Sequence, residues 1–188
     1  MRLLAIAVVL ALLAGCAPST VDASPSSPAA RSCLPPAPSV TAAAPSGTAP
    51  GRIPDLTLDC FEGGGKVRLA ALHRPAIVNL WASWCGPCRV ELPAFQRYAS
   101  QAGDRVLVLG VDTGDTRDAG GGLLQDTRVA FPTLFDAGGR LLSGVGRSAL
   151  PVTLFVDADG GLRYIYNDKA LDEPAIARLA GTHLGVGA

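Results

Sequence analysis

Short apolar runs separated by polar turns dominate the chain after about residue 52. Residues 76–82 are almost wholly apolar and residues 105–111 form a second such run, which predicts two strands buried within a sheet. Between these runs, apolar positions recur at steps of four, three and four, at Cys88, Leu92, Phe95 and Ala99. This spacing predicts a helix with its apolar face on the sheet, and the alternation of strand and helix indicates an α/β domain.

A glycine-rich turn predicts a hairpin at the start of this domain. Residues 56–58 and 66–69 alternate in the manner of strands and flank the turn at residues 62–65. The turn is not a phosphate-binding loop, because no Lys-Ser or Lys-Thr pair follows it and no strand leads from it into a helix.

The second half of the domain continues the same alternation. Residues 118–130 predict a weak helix diluted by three glycines, and residues 131–136 predict a short extended piece. After Pro151 the pattern predicts a strand, a turn, a second strand over residues 162–166 and a last helix capped by Asp172. That last helix is expected to bury Ile176, Leu179 and Leu184.

The N-terminus carries a separate apolar run at residues 3–14. It is short for a membrane-spanning helix and has the length of a secretory signal, which predicts a signal peptide over residues 1–15. The run ends in Leu-Ala-Gly followed by Cys16 and resembles a bacterial lipobox, in which the cysteine is lipidated. The alternative is an ordinary cleaved signal peptide that leaves a spare cysteine.

Composition separates a tether from the folded domain. Residues 16–51 consist mainly of Ala, Pro, Ser, Thr and Gly, too small or polar to offset the entropy of ordering. We therefore predict an extended tether there and a folded domain over residues 52–188. The 16 basic and 16 acidic residues of the whole chain give no net charge, so nothing favours a nucleic-acid partner.

The candidate chemistry lies in Cys85-Gly86-Pro87-Cys88, between the first buried strand and the helix that follows it. Two thiols at this spacing can form and open one disulfide. Unpaired N–H groups at a helix N-terminus stabilise a thiolate, so Cys85 is expected to attack substrate and Cys88 to resolve the mixed disulfide. Pro87 suits the first helical turn, because it forfeits no hydrogen bond there.

A zinc site is the alternative for this pair of cysteines. Such a site needs a second Cys or His pair at ligand spacing. The two histidines, His73 and His183, lie far apart in the chain and have no partner at that spacing. We therefore predict neither a metal ion nor a cofactor.

The residues around the dithiol resemble the active-site signature of thioredoxins: Trp81-Ala82-Ser83-Trp84-Cys85-Gly86-Pro87-Cys88. The larger pattern, over residues 53–184, resembles the membrane-anchored TlpA/ResA-like thiol-disulfide oxidoreductases. This resemblance implies a thioredoxin-like three-layer α/β fold. It also implies a mixed central sheet, an N-terminal β-hairpin and a central insertion, to which residues 118–136 correspond.

The resemblance also implies a cis proline beside the dithiol. In proteins of this fold, the backbone of the residue before that proline pairs with bound substrate. Pro151 fits because the elements predicted after it are those that end a thioredoxin domain, whereas Pro132 is a rival that is also followed by threonine. Only proline makes a cis peptide bond of low cost.

Two acidic side chains are candidates for proton transfer. In ResA-like relatives an acid just after the second strand tunes the cysteines, and Asp112 or Asp115 is the nearest match, although acids in such loops are often helix caps. Glu91 lies one turn beyond Cys88 and is positioned to shuttle protons, with a solvated carboxylate as the alternative. Asn79 occupies the position of a buried acid in thioredoxins, and an ordinary hydrogen-bonding role in the core is its alternative.

The remaining cysteines, Cys33 and Cys60, are expected to form a structural disulfide. Of the five cysteines, Cys16 is assigned to lipid and two to the dithiol, and disulfides persist in exported chains. The bridge would fasten the tether to the first strand of the domain and contribute about 3 to 4 kcal/mol. Two free thiols are the alternative.

The resemblance implies a reductase of protein disulfides outside the cytoplasmic membrane. It further implies apocytochrome c as a substrate, a CcdA-type membrane protein as electron donor and a lipid anchor at Cys16. An oxidase or isomerase of exported proteins is the first alternative, and a non-catalytic binding lipoprotein is the second. Peroxiredoxins share the fold but carry a threonine two residues before an isolated cysteine, where this chain has Ser83.

Overall fold

The structure is a computed structural model that describes residues 33–36 and 51–186. The predicted signal peptide over residues 1–15, the lipidation site Cys16 and nearly all of the predicted tether lie outside the described residues. Within the described ranges, no helix combines the length and the apolar character needed to cross a membrane.

The described residues form eight strands and four α-helices. The strands are β1 (Gly51–Arg52), β2 (Thr57–Cys60), β3 (Lys66–Arg68), β4 (Ala76–Trp81), β5 (Leu107–Thr113), β6 (Thr133–Asp136), β7 (Val152–Val156) and β8 (Gly161–Tyr166). The helices are α1 (Gly86–Ala102), α2 (Arg117–Thr127), α3 (Arg140–Gly144) and α4 (Glu173–Leu184). Short 3₁₀ turns follow β3 and α1.

All eight strands belong to one mixed sheet, in the order β1-β8-β7-β4-β5-β6-β2-β3. The β4–β5 and β5–β6 pairs are parallel and the others are antiparallel. Strand β4 lies between β5 and β7, and all six of its residues are buried. The mixed sheet, the buried central strand and the N-terminal hairpin of β2 and β3 are therefore confirmed.

Apolar side chains leave the sheet alternately toward two separate cores. One core contains Ile77 and Trp81 of β4 and packs under α1, α2 and α4. The other contains Val78 and Leu80 of β4 together with Leu141 of α3 and Leu69 of the 3₁₀ turn after β3. Because each face of the sheet is covered, the three-layer architecture predicted from the sequence is present.

Strand β5 differs from its prediction at both ends. It begins at Leu107, because Arg105 lies in the 3₁₀ turn after α1, and it continues to Thr113. Asp112 is therefore a buried strand residue, where the sequence had suggested a loop. The parallel pairing of Trp81 with Asp112 explains the extension, because β5 remains bonded to β4 as far as the end of that strand.

Helix α2 is continuous through its three glycines. The helix spans Arg117–Thr127, capped by the Thr116 side chain, which accepts a hydrogen bond from the Ala119 N–H at 3.3 Å. A Cβ atom added at Gly120 would lie only 2.3 Å from Asp112 Oδ2, so this glycine lets α2 approach the sheet closely. Helix α3 was not predicted, and in α4 Leu179 is half-buried while Ile176 and Leu184 are buried.

A disulfide joins Cys33 to Cys60, the last residue of β2. The Cys33 N–H also donates to Cys60 Sγ at 3.2 Å. Beyond the disulfide, Arg74 Nη1 donates to the Pro36 carbonyl at 3.4 Å. The short segment at residues 33–36 is thus held against the domain by a covalent bond and hydrogen bonds.

Candidate active site

The dithiol lies where β4 ends and α1 begins. Cys85 is the N-cap residue of α1, and its Sγ accepts a hydrogen bond from the Cys88 N–H at 3.2 Å. The two sulfurs are joined in a disulfide, with Cα atoms 5.3 Å apart. Cys85 keeps 5% of its surface exposed and Cys88 keeps none, so an incoming sulfur has access to Cys85 first.

The peptide bond between Leu150 and Pro151 is cis, and within residues 33–36 and 51–186 it is the only cis bond. Pro132, the rival in the sequence, does not have this geometry. Val152 pairs with Leu80 near the end of β4, so the start of β7 lies at the same end of the sheet as the dithiol. The backbone around Pro151 is therefore on the side from which a substrate would approach.

The loop after β5 holds the loop that precedes Cys85. Asp115 Oδ2 accepts a hydrogen bond from the Ser83 N–H at 2.5 Å, and the Trp84 indole N–H donates to the Gly114 carbonyl at 3.1 Å. The Trp84 side chain is nevertheless 64% exposed. The two loops thus form one surface on which a large aromatic ring lies open beside the dithiol.

Glu91 is buried, which excludes the solvated carboxylate that was its alternative. Its Oε1 accepts a hydrogen bond from Asn79 Nδ2 at 2.8 Å, and its Oε2 accepts one from the Leu171 N–H at 3.0 Å. Burial raises the pKa of Glu91 to about 7, although these two hydrogen bonds oppose the increase. A carboxyl one turn from Cys88 can therefore exchange a proton near neutral pH.

Asp112 is a second buried acid, on the face of β5 that packs against α2. Neither of its oxygens has a hydrogen-bond partner among the described residues. Burial, followed by the negative charge of Asp115, raises the pKa of Asp112 to about 8, and the charge of Arg117 opposes this. Asp112 is not the helix cap considered as its alternative, because Thr116 caps α2.

The interaction between Asp112 and Asp115 depends on a proton. Two ionised carboxylates only accept hydrogen bonds and repel each other, whereas a protonated carboxyl can donate one to its neighbour. Asp115 already accepts hydrogen bonds from the Ser83 and Thr116 N–H groups. With its pKa raised to about 8, Asp112 is the protonated acid at neutral pH.

Asn167 is a residue of this region that the sequence analysis missed. It follows β8, and its Nδ2 donates to the Ala149 carbonyl at 3.2 Å and to the Pro151 carbonyl at 2.8 Å. No signal in the sequence marks it, because a single asparagine after a strand is common in turns. Its contacts arise only from the pairing of β7 with β8.

The two histidines lie apart from the dithiol. The His183 ring stacks on Tyr164 with centroids 4.2 Å apart and packs near Phe155. His73 adopts a positive φ of 48° in the turn before β4. Over the described part of the chain, no three His, Cys, Asp or Glu side chains cluster as metal ligands.

A comparison with protein-family models identifies the family of the folded domain. A model described as the AhpC/TSA family matches residues 50–165, which is more than half of the chain. The chain belongs to the AhpC/TSA family. The match covers the dithiol, the buried acids and the cis proline, whereas Asn167 and Leu171 lie just beyond its end.

Curated relatives of this AhpC/TSA domain carry thiol-disulfide names. The thiol:disulfide interchange protein DsbE homolog of Paracoccus denitrificans is 38% identical over 101 residues, which are 51% of this chain and 54% of the relative. The thiol-disulfide oxidoreductase ResA of Bacillus thuringiensis is 29% identical over 99 residues, or 52% and 57% of the two chains. The chain thus matches little more than half the length of these relatives. Their names confirm the resemblance to ResA-like proteins.

Solved structures confirm the thioredoxin-like fold of the AhpC/TSA domain. A secreted Mycobacterium tuberculosis disulfide oxidoreductase, described as homologous to DsbE of Escherichia coli, superposes with a TM-score of 0.59. The superposition covers 68% of this chain and 93% of that protein at 22% identity. At this identity the likeness supports the fold alone.

Proposed function

We propose that this protein exchanges thiols and disulfides with other proteins, in the reducing direction and outside the cytoplasm. The observation that carries the proposal is the position of Cys85, whose Sγ caps α1 and accepts the Cys88 N–H. A thiolate at this position is stabilised by the helix N-terminus, and thiolate is the form that attacks disulfides.

In the reduced protein, the Cys85 thiolate attacks one sulfur of a substrate disulfide. The substrate S–S bond breaks, a mixed disulfide forms, and the leaving substrate sulfur takes up a proton. Cys88, after losing its proton, then attacks the Cys85 sulfur and releases the second substrate thiol. Two electrons have moved from the dithiol to the substrate, and the protein holds the Cys85–Cys88 disulfide.

Glu91 is the proposed acceptor of the proton that Cys88 loses. It lies one helical turn from Cys88, is closed off from water, and has a pKa raised to about 7 by burial. A base is most effective when its pKa lies near the working pH. Asn79 and the Leu171 N–H, which donate to its two oxygens, fix the orientation of the carboxylate.

The names of the relatives support this chemistry, since both describe exchange between thiols and disulfides. The apolar run before Cys16 and the Cys33–Cys60 disulfide support a site outside the cytoplasm, where disulfides persist. Within the proposal, lipid on Cys16 anchors the protein to the membrane. A CcdA-type membrane protein re-reduces it, and its substrates include the haem-site cysteines of apocytochrome c.

The chemistry is tested by measuring the reduction of insulin disulfides by dithiothreitol. Wild type should accelerate the reaction and Cys85→Ser should not; equal rates would refute catalysis by the dithiol. A Cys88→Ser variant should accumulate mixed disulfides through Cys85, and mass spectrometry of the trapped partners would identify the substrates. A measured reduction potential near that of strong disulfide oxidants would instead favour an oxidase.

A further inference from the structure

The backbone that leads into β7 is held by one side chain from the neighbouring strand. Thr153 of β7 pairs with Tyr166, the last residue of β8, and the paired region ends there. Asn167 follows directly, and its Nδ2 bonds to the carbonyls of Pro151 and Ala149 at 2.8 and 3.2 Å. The side chain therefore continues the hydrogen bonding of β8 beyond the end of the strand.

The two bonds use the full donor capacity of the group. A side-chain amide nitrogen carries two hydrogens, and each of them has one carbonyl as its acceptor. Aspartate has the same shape but no donor, and serine is shorter and carries one donor, so neither can replace both bonds. Asparagine thus fits this position for a specific chemical reason.

Leu150 lies between the two fixed carbonyls and is bonded differently. Its backbone N–H and C=O make no hydrogen bond to any residue in the described ranges, and its side chain is half-buried. Polar backbone groups without an internal partner bond to water or to a bound molecule. Asn167 thus holds the carbonyls on both sides of Leu150. The Leu150 N–H and C=O themselves remain available to bond to another molecule.

From this arrangement we infer that Asn167 is a positioning residue for protein substrates. By fixing the Ala149 and Pro151 carbonyls, it holds the Leu150 N–H and C=O in the orientation that the backbone of an extended peptide would meet. Binding then requires less ordering of this segment, because the free protein already has it ordered. This inference rests on the proposed thiol-disulfide exchange and adds to it the residue that prepares the binding edge.

The inference predicts a difference between binding and chemistry. Within the described residues, Asn167 donates to two backbone carbonyls and makes no hydrogen bond to either active-site sulfur. Its loss should therefore raise the KM for a protein substrate while leaving kcat, the reduction potential and the reactivity of Cys85 toward a small disulfide unchanged. Hydroxyethyl disulfide is a suitable small substrate, because it has no peptide groups to pair with Leu150.

The test compares Asn167→Ala and Asn167→Leu with Asp168→Ala, a control at the adjacent exposed position. Both Asn167 variants should raise the KM for insulin about threefold to tenfold, with the hydroxyethyl disulfide rate and the reduction potential within error of wild type. The control should match wild type throughout. An unchanged KM, or an equal loss of rate with both substrates, would overturn the inference.

A second measurement separates this inference from the proposed function. Backbone ¹⁵N relaxation of the oxidised protein should give lower order parameters for the Ala149 and Leu150 amides in Asn167→Ala than in wild type or Asp168→Ala. This result does not depend on turnover. A wild type that reduces neither substrate would refute the proposed function, whereas unchanged order parameters would refute the positioning by Asn167.

Discussion

Replacing Asp112 by asparagine removes a buried charge while keeping the shape of the side chain. The carboxyl is fully buried against α2, and neither oxygen has a hydrogen-bond partner within the described chain. Asparagine is neutral at every pH and still carries a donor that can face Asp115. The variant should thus behave as wild type does when Asp112 is protonated.

The raised pKa of Asp112 fixes the sign and size of the effect. Burial, with Asp115, raises this pKa from 3.8 to about 8, so the folded state binds the proton more tightly than the unfolded chain does. The stabilisation of the folded state by protonated Asp112 is then complete below about pH 4 and is lost as the pH rises to about 8. A tenfold change in acidity is worth about 1.4 kcal/mol, which gives an upper limit of roughly 6 kcal/mol. Because proteins relax around buried charges, we expect about 2 to 4 kcal/mol.

The assay is guanidinium unfolding of the oxidised proteins at several pH values from 5 to 9. The free energy of unfolding of Asp112→Asn, relative to wild type, should increase steadily up to about pH 8 and then level off. Asp118→Asn, which changes an exposed acid at the start of α2, should show no such trend. A difference between Asp112→Asn and wild type that is independent of pH would refute the assignment of a neutral buried acid.

Three further predictions test other parts of the structure. In wild type, kcat/KM for insulin reduction should rise between pH 6 and 8, because burial raises the pKa of Glu91 to about 7. Glu91→Gln should abolish this rise and lower kcat/KM about threefold to tenfold at pH 8. An unchanged pH profile would contradict this prediction. The double variant Cys33→Ser/Cys60→Ser should lose about 3 to 4 kcal/mol of unfolding free energy, measured in guanidinium. Its rate with hydroxyethyl disulfide should stay that of wild type. A loss of that rate would argue against a purely structural disulfide. Gly120→Ala should lower the melting temperature and the free energy of unfolding by about 1 to 3 kcal/mol, because its Cβ would lie 2.3 Å from Asp112 Oδ2. Gly122→Ala, with open space around its Cβ, should gain up to about 1 kcal/mol of unfolding free energy. Equal effects at the two glycines would be inconsistent with close packing of α2 against the sheet.

Local patterns were sufficient to predict the elements that position the dithiol. Strand β4 appears in the sequence as an uninterrupted apolar run, and α1 follows from the spacing of Cys88, Leu92 and Phe95. The cap at Asp172 was also predictable, because its side chain bonds to an amide only three residues away, at Ala175. Each of these features depends on neighbours in the sequence, which is why they could be predicted without the fold.

Burial of the two acids was not predicted, although the sequence held part of the signal. Glu91 lies three residues after Cys88 and four before Phe95, so helical spacing places it on the apolar face of α1. The usual exposure of glutamate argued against this placement. Asp112 likewise alternates with Val108 on one face of β5, but the end of that strand is set by pairing with β4. Which acids are enclosed depends on the layers packed over them, which a single element does not reveal.

Within the proposed function, Asn79 and Glu91 together provide the proton route that thioredoxins obtain from a buried acid on the central strand. Thioredoxins carry a buried acid at the position of Asn79, and asparagine cannot ionise. In this protein the acid comes from α1, and the strand residue supplies a donor to it at 2.8 Å. Two carboxyl groups at that separation would share one proton and titrate as a coupled pair. An amide at position 79 avoids this coupling, so Glu91 titrates as a single group near neutral pH, where Cys88 must lose its proton.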